Sequence, residues 1–333
     1  MWDIALGITM NVLGLEFTAH TFGAGVVNEK KVLANEKASF TTSTATGMIP
    51  NEVKKFHFEH REGVVEKAVA GKKIDLVACS QGPGLGHTLS QGLEYSREVA
   101  KRFGVPLFGV NHCVSHIEIG RFLCGAKNPV FLYVSGANTQ IISFEGGRYR
   151  VFGETLDIGA GNLLDKCARE LGLGFPGGPK MYELSLKSKK YVKLPYSIKG
   201  MDVSFSGMLT HFKKLVGKEK NEDLAYSLQE TAFDMLIEAS ERAMAYTGKK
   251  ELLLGGGVAA SKILREKADI MCRERGAKSF VPEVQYCVDN GAMIGYLGLL
   301  VWKAGEREEP KEIKPYWRTD DVDAIWLKGG DDL

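Results

Sequence analysis

The sequence has no paired cysteines. Its six cysteines (Cys79, Cys113, Cys124, Cys167, Cys272 and Cys287) fall singly, with no CxxC and no regular spacing. That argues against a disulfide framework or a structural zinc finger and points to reduced, buried thiols. There is also no long apolar run. The longest helix-like one, Gly291 to Trp302, falls well short of the ~20 residues a membrane-spanning helix needs. The N-terminus lacks a basic segment ahead of its apolar stretch, which Asp3 and Asn11 interrupt, so no secretory leader is expected. Met1 and Met10 are both candidate starts. Charge of one sign is lacking too. A net charge of +2 neither demands nor rejects nucleic acid. These absences lead to the expectation of a cytoplasmic protein of ordinary globular composition, 44% apolar and 25% charged.

What the chain does have is glycine, 39 of 333 residues against a usual ~7%. The glycines cluster beside apolar stretches, as ligand-cradling turns do. The length suits two lobes rather than one core. Strands are expected at Val12–Leu15, Phe22–Val27 and from Val32, with 16–21 a polar turn. A matching triplet starts near 130, 140 and 149. Such a pair of triplets suggests a duplicated α/β fold. Ile74–Ala78, the loop Gln81-Gly-Pro-Gly-Leu-Gly86, a helix over 88–103 and the strand Pro106–Val110 read as a βαβ unit with parallel pairing. The expected division is a first lobe over 1–128, rejoined by 299–333, and a second lobe over 129–298.

Two features carry candidate chemistry. His112 and His116 stand four apart at the start of a helix, so both imidazoles can face one ion. Asp289 precedes an apolar helix, as an N-cap or a further ligand. Two basic stretches are ordinarily solvated faces but could meet phosphates. One is Lys180–Lys220, with ten lysines against Glu183, Asp202 and Glu219. The other is Lys54, Lys55 and Arg61 beside His57 and His60. Asn221 reads as the N-cap of a long core helix, followed by the glycine turn of Glu251–Ser261.

Taken together, Gly14-Leu-Glu-Phe-Thr-Ala-His20, Ser80-Gln-Gly-Pro-Gly-Leu-Gly86, Gly109-Val-Asn-His-Cys-Val-Ser-His-Ile-Glu-Ile-Gly120, Tyr133-Val-Ser-Gly-Ala-Asn-Thr-Gln140, Gly255-Gly-Gly-Val-Ala-Ala260 and Asp289-Asn-Gly-Ala-Met293 resemble the tRNA threonylcarbamoyladenosine transferase family. This is the archaeal and eukaryotic branch that forms the catalytic subunit of the KEOPS complex, formerly called O-sialoglycoprotein endopeptidase. The resemblance implies an actin-like ATPase, sugar-kinase-like (ASKHA) fold: two RNase-H-like lobes of mixed sheets flanked by helices, with an adenine nucleotide between them. It implies transfer of threonylcarbamoyl from threonylcarbamoyl-AMP to the exocyclic amine of the adenosine 3′ to the anticodon, position 37, in tRNAs reading codons that begin with A. Partners would be tRNA, a small dimerising subunit and a kinase-like ATPase, with no membrane.

Carried over by residue, the resemblance implies an iron or zinc ion held by His112, His116, Tyr133 and Asp289, the two histidines being catalytic. It implies a substrate turn at Tyr133, Val134, Ser135, Gly136 and Ala137, with backbone donors around Ser135-Gly136. Contacts to the nucleotide, ATP or the adenylate, would come from Asp165, Gly178, Tyr182 and Ser261. Three positions depart from the family pattern: Ser261 stands for a common Asn, Tyr182 for an acid and Phe17 for a glycine. The rival readings are a metallopeptidase, a small-molecule kinase of the same fold and a nucleotide-binding scaffold. The peptidase motif needs a glutamate after its first histidine, and Cys113 stands there instead. A kinase gives no use for the histidine pair.

Overall fold

The computed structural model describes residues 9–41 and 49–327. The candidate start Met1 lies outside them. The described residues form two compact units. Those up to Phe40, from Ile49 to Ile119 and from Asp289 onward make one, and Gly120–Val288, with Thr41, make the other.

The first unit opens with β1 (Val12–Glu16), β2 (Thr21–Val27) and β3 (Val32–Ser39), followed by α1 (Pro50–Val69), β4 (Leu76–Gly82), α2 (Gly86–Phe103), β5 (Leu107–Asn111) and α3 (His112–Cys124). Its sheet runs β3-β2-β1-β4-β5. β1 pairs antiparallel with β2 and parallel with β4. β1, β2, β4 and β5 are buried throughout, which accounts for their mainly apolar and glycine sequence, with polar residues such as Glu16, Thr21, Ser80, Gln81 and Asn111 at their ends. Helix α2 ends on Gly104 in the left-handed conformation, whose amide closes on Ala100 and Lys101.

The second unit repeats the plan. It contains β6 (Val130–Val134), β7 (Thr139–Glu145), β8 (Arg148–Glu154), α4 (Ala160–Glu170), α5 (Gly177–Ser185), the ribbon β9 (Ile198–Lys199) and β10 (Asp202–Val203), α6 (Ser206–Leu215), α7 (Asn221–Thr247), β11 (Glu251–Gly255), α8 (Lys262–Glu274), β12 (Lys278–Phe280) and α9 (Val284–Cys287). Its sheet runs β12-β11-β6-β7-β8. β6 pairs antiparallel with β7 and parallel with β11, so it occupies the place of β1. The expected strand duplication is therefore present. Asn221 is the first helical residue of α7 and not its cap. The cap position is Lys220, with no side-chain capping bond.

The last helix, α10 (Gly291–Lys303), packs on β1, β2 and β4. Glycine makes this approach possible. A Cβ on Gly14 would lie 2.1 Å from both Gly291 O and Gly295 N, and one on Gly25 would lie 2.3 Å from Ala292 N. The sequence reading placed 289–298 in the second lobe and ended the first at 128. Contacts instead put all of α10 with the first unit and change units at Ile119/Gly120. The glycines on both sides of that contact are the physical reason. Phe17, where a glycine was expected, is fully buried. Its ring occupies the space that a Cβ on Gly92 would enter, so a small residue on α2 compensates for a large one in the turn.

Candidate metal centre and nucleotide-binding turns

Asn111 ends β5 and starts α3. Its Oδ1 accepts the Val114 amide at 3.1 Å, and its carbonyl accepts the Ser115 hydroxyl at 2.8 Å. His112 is thus the first helical residue, and His116 lies one turn later on the same face. Their rings meet edge to face at 4.9 Å, and both are buried. The cap of α10 is Asn290, whose Oδ1 accepts the Met293 amide at 3.0 Å. Asp289 is therefore not used as the cap and turns to the histidines instead. Its Oδ1 lies 3.6 Å from His112 Nε2 and 3.4 Å from His116 Nε2.

The three donor atoms lie within 4.8 Å of one another. Around an ion with bonds of ~2.0–2.1 Å, tetrahedral donors stand about 3.3 Å apart. The two measured nitrogen–oxygen separations are close to that edge. Two imidazoles and a carboxylate suit a borderline divalent cation such as zinc or iron(II).

The electrostatics agree. Burial alone would lower the pKa of His112, but Glu16 and Asp289 outweigh it and hold it at about 9. Burial pushes His116 below its ordinary value, against the opposing effect of a hydrogen bond to the Asp289 carboxylate. Asp289 stays well below the usual carboxylate range: burial would raise it, but His112 and His116 prevail. A cation held at the cluster would take the place of the Nε2 proton of His112, because an imidazolium has no lone pair to offer a metal.

Glu16 was read as part of a polar turn. It is the last residue of β1 and fully buried. Its Oε2 lies 2.9 Å from His112 Nδ1. Its Oε1 accepts the Thr18 amide at 2.7 Å and the Thr18 hydroxyl at 2.5 Å. The available signal was an acid directly after four apolar strand residues. Asn111 and Asn290, which aim the ligands, were also missed. Each asparagine adjoins a ligand at a strand–helix or loop–helix junction, and that adjacency was the readable clue.

The remaining candidates belong to the second unit. Tyr133 lies in β6, buried, its ring stacked on Phe131 at 5.9 Å. Val134 is buried, and Ser135, Gly136 and Ala137 form the turn after it. The Ser135 amide is spent inside that turn on Asn138 O, at 2.8 Å, so it is not available as the expected backbone donor. The turn rests on the start of α4. Gly161 and Asn162 donate to Ser135 O and Gly136 O at 3.1 and 2.8 Å. Gly256, with φ of 89°, lets the β11 turn close on Val134, whose carbonyl a Cβ would meet at 2.3 Å. Asp165 Oδ1 accepts the Gly177 amide at 2.7 Å, beside Gly178 in the first turn of α5.

The 133–137 turn, the α4–α5 junction and the 255–261 turn are thus joined at one end of this sheet. Tyr182 lies further along α5, half-buried, and among the described residues no hydrogen bond links its hydroxyl to these turns. The Ser261 hydroxyl is buried and has no hydrogen-bond partner among the described residues. A bound nucleotide could supply one. Ser261→Ala is then expected to weaken binding of an adenine nucleotide about 3- to 10-fold, the value of one hydrogen bond. Titration calorimetry with ATP checks this, and unchanged affinity removes Ser261 from the site.

A protein-family model described as TsaD, tRNA N6-adenosine threonylcarbamoyltransferase, matches residues 31–296. A curated protein of that name from Thermococcus kodakarensis is 51% identical over 326 residues, covering 95% of this chain and all of the relative. The chain belongs to the tRNA N6-adenosine threonylcarbamoyltransferase family.

Another threonylcarbamoyltransferase, from Methanocella arvoryzae, is 48% identical over 95% of this chain and 98% of its own length. A probable bifunctional tRNA threonylcarbamoyladenosine biosynthesis protein from Methanosarcina mazei is 48% identical, and the chain covers 60% of it. Solved structures show the fold. HypF from T. kodakarensis superposes with a TM-score of 0.61 at 15% identity, over 90% of this chain and 49% of HypF. A ROK-family glucokinase from Streptomyces griseus does so with a TM-score of 0.50 at 15% identity, over 87% and 98%. The transferase thus has the ASKHA fold, with two sheet units flanked by helices. It is an acyltransferase acting in tRNA modification.

Proposed function

We propose that this chain transfers threonylcarbamoyl from threonylcarbamoyl-AMP to N6 of adenosine 37 in tRNAs reading codons that begin with A. The observation that carries this reading is the buried cluster of His112, His116 and Asp289 in a chain of this family. In the reaction, the adenosine amine attacks the carbamoyl carbon. A carbon–nitrogen bond forms, the carbon–oxygen bond to phosphate breaks, AMP leaves and the amine gives up a proton. A bound iron or zinc ion would supply Lewis acidity toward the donor's carbonyl or phosphate.

The chain's own residues orient and hold. His112 and His116 present fixed imidazole faces from α3, and Asp289 supplies carboxylate oxygen. The family resemblance adds Tyr133 as a phenolate ligand. It also adds the Val134–Ala137 turn, Asp165, Gly178, Tyr182 and Ser261 as nucleotide and substrate contacts. Cys113, buried beside His112, cannot serve as the water-activating glutamate of a peptidase. The test is mass spectrometry of nucleosides after the chain, threonylcarbamoyl-AMP and unmodified tRNA are incubated with partner subunits. Threonylcarbamoyladenosine is expected, and its absence contradicts the reading.

The partners we propose are a small dimerising subunit and a kinase-like ATPase of a KEOPS-type complex, in the cytoplasm. The existence of relatives named bifunctional supports a second activity working beside this one. No helix of the described residues is long and apolar enough to cross a membrane.

For tRNA we propose two basic faces. One is the exposed segment with Lys187, Lys189, Lys190, Lys193 and Lys199, interleaved with exposed Tyr191 and Tyr196. Within it, Lys190 is already engaged by Glu219 and Asp223. The other is the face of α1 with Lys54, Lys55 and Arg61. Its contribution is smaller, because Lys55 pairs with Glu59 and Arg61 stacks on Phe58 and Tyr95. Changing Lys187, Lys189 and Lys193 to glutamate together is expected to weaken tRNA binding and flatten its salt dependence by about two to three contacts. An unchanged salt slope removes this face from the account.

A further inference from the structure

The glycine-rich segment Ser80–Gly86 has the sequence of a phosphate cradle, yet several of its polar groups are already engaged. The Gly84 amide donates to Pro315 O at 3.2 Å, and the Leu85 amide donates to Thr18 O at 2.8 Å. Gln81 O accepts the Lys314 amide at 2.8 Å, and Gln81 Nε2 donates to Glu312 O at 2.7 Å. Ser80 Oγ accepts the Phe17 amide at 3.1 Å. The loop therefore grips Phe17 and Thr18 from behind at two points. A Cβ on Gly84 would stand 2.7 Å from Thr18 O and 2.8 Å from Thr18 Cβ, so the fit has no slack.

Thr18 passes that constraint on. Its amide and hydroxyl both donate to Glu16 Oε1, at 2.7 and 2.5 Å. This leaves Oε2 directed at His112 Nδ1, 2.9 Å away. A carboxylate can only accept, so Nδ1 carries the proton and Nε2 is the nitrogen turned to Asp289. We infer that Glu16, clamped by Thr18 and by the Ser80–Leu85 loop, is the positioning residue that sets how tightly His112 holds an ion, and that the loop serves the metal centre rather than a phosphate. A hydrogen-bonded carboxylate behind a metal-binding histidine fixes its tautomer and ring orientation and raises its basicity.

The inference rests on the metal-centre reading, and the experiment separates the two. Zinc affinity of the full chain is measured by competition with a chromophoric chelator, alongside melting temperature and the visible spectrum with cobalt(II). Glu16→Gln is expected to weaken zinc binding about 10- to 100-fold and to shift the cobalt bands. Gly84→Ala, which touches no ligand, is expected to change both in the same direction. Parental zinc affinity in a folded Glu16→Gln overturns the inference, even if its melting temperature falls. Should that variant not fold, Gly84→Ala decides by the same criterion. A parent chain that takes up no zinc overturns the metal-centre reading and this inference with it.

Discussion

A chain carrying His112→Ala and His116→Ala together is expected to lose at least about a thousandfold in threonylcarbamoyl transfer. The two substitutions remove both nitrogen donors of the cluster and leave only oxygen ligands, Asp289 and the proposed Tyr133, which hold a borderline cation far more weakly. Lewis-acid stabilisation amounts to several kcal/mol, and about 4 kcal/mol corresponds to three orders of magnitude. The fold should survive, because Asn111 still caps α3 through the Val114 amide. Nucleoside mass spectrometry of the reaction, with circular dichroism of the variant, measures both parts. Transfer within tenfold of the parent counts against the centre.

Gly14→Val is expected to have the largest effect on stability. The Cβ of residue 14 would stand 2.1 Å from Gly291 O and Gly295 N, and 2.7 Å from Gly295 Cα. All three are backbone atoms, so no side-chain rotation relieves the clash, and α10 must move off β1. Overpacking a core costs about 1–3 kcal/mol even where side chains can yield, so at least ~3 kcal/mol is expected here. At roughly 2–4 °C per kcal/mol for a domain of this size, the melting temperature falls by about 6–12 °C or more. Moving α10 also moves Asp289, so zinc affinity should fall with it. Gly63→Ala is the control. It lies inside α1 with nothing within 4 Å of its Cβ, and it is expected to be neutral or slightly stabilising. A Gly14→Val chain that melts with the parent contradicts the role given to these glycines.

Much of this was legible in the sequence because periodicity and local chemistry agreed. The triplets starting at 12, 22 and 32 and at 130, 140 and 149 read as strands, since short apolar runs and turn residues are local signals. His112 and His116 read as a pair, since helical spacing alone puts them on one face. Where the reading fell short, the deciding partner was distant in sequence. Glu16 looks like turn polarity until His112, 96 residues away, is seen against it. The unit to which α10 belongs depends on Gly14 and Gly25, whose lack of side chains means nothing until α10 is laid across them. The Asn290 cap, which releases Asp289 toward the histidines, sits next to the residue that had looked like the cap itself. Ser135 was expected to donate its amide to substrate, but a turn three residues long uses it internally.

The account stands most directly on transfer measured before and after the ion is removed. The chain is stripped with a chelator, assayed with threonylcarbamoyl-AMP, tRNA and partner subunits, then reloaded with one equivalent of iron(II) or zinc. The expected result is loss of threonylcarbamoyladenosine on stripping and its recovery on reloading, with no recovery in His116→Ala. A metal-free chain that modifies tRNA at the parental rate would contradict the central claim.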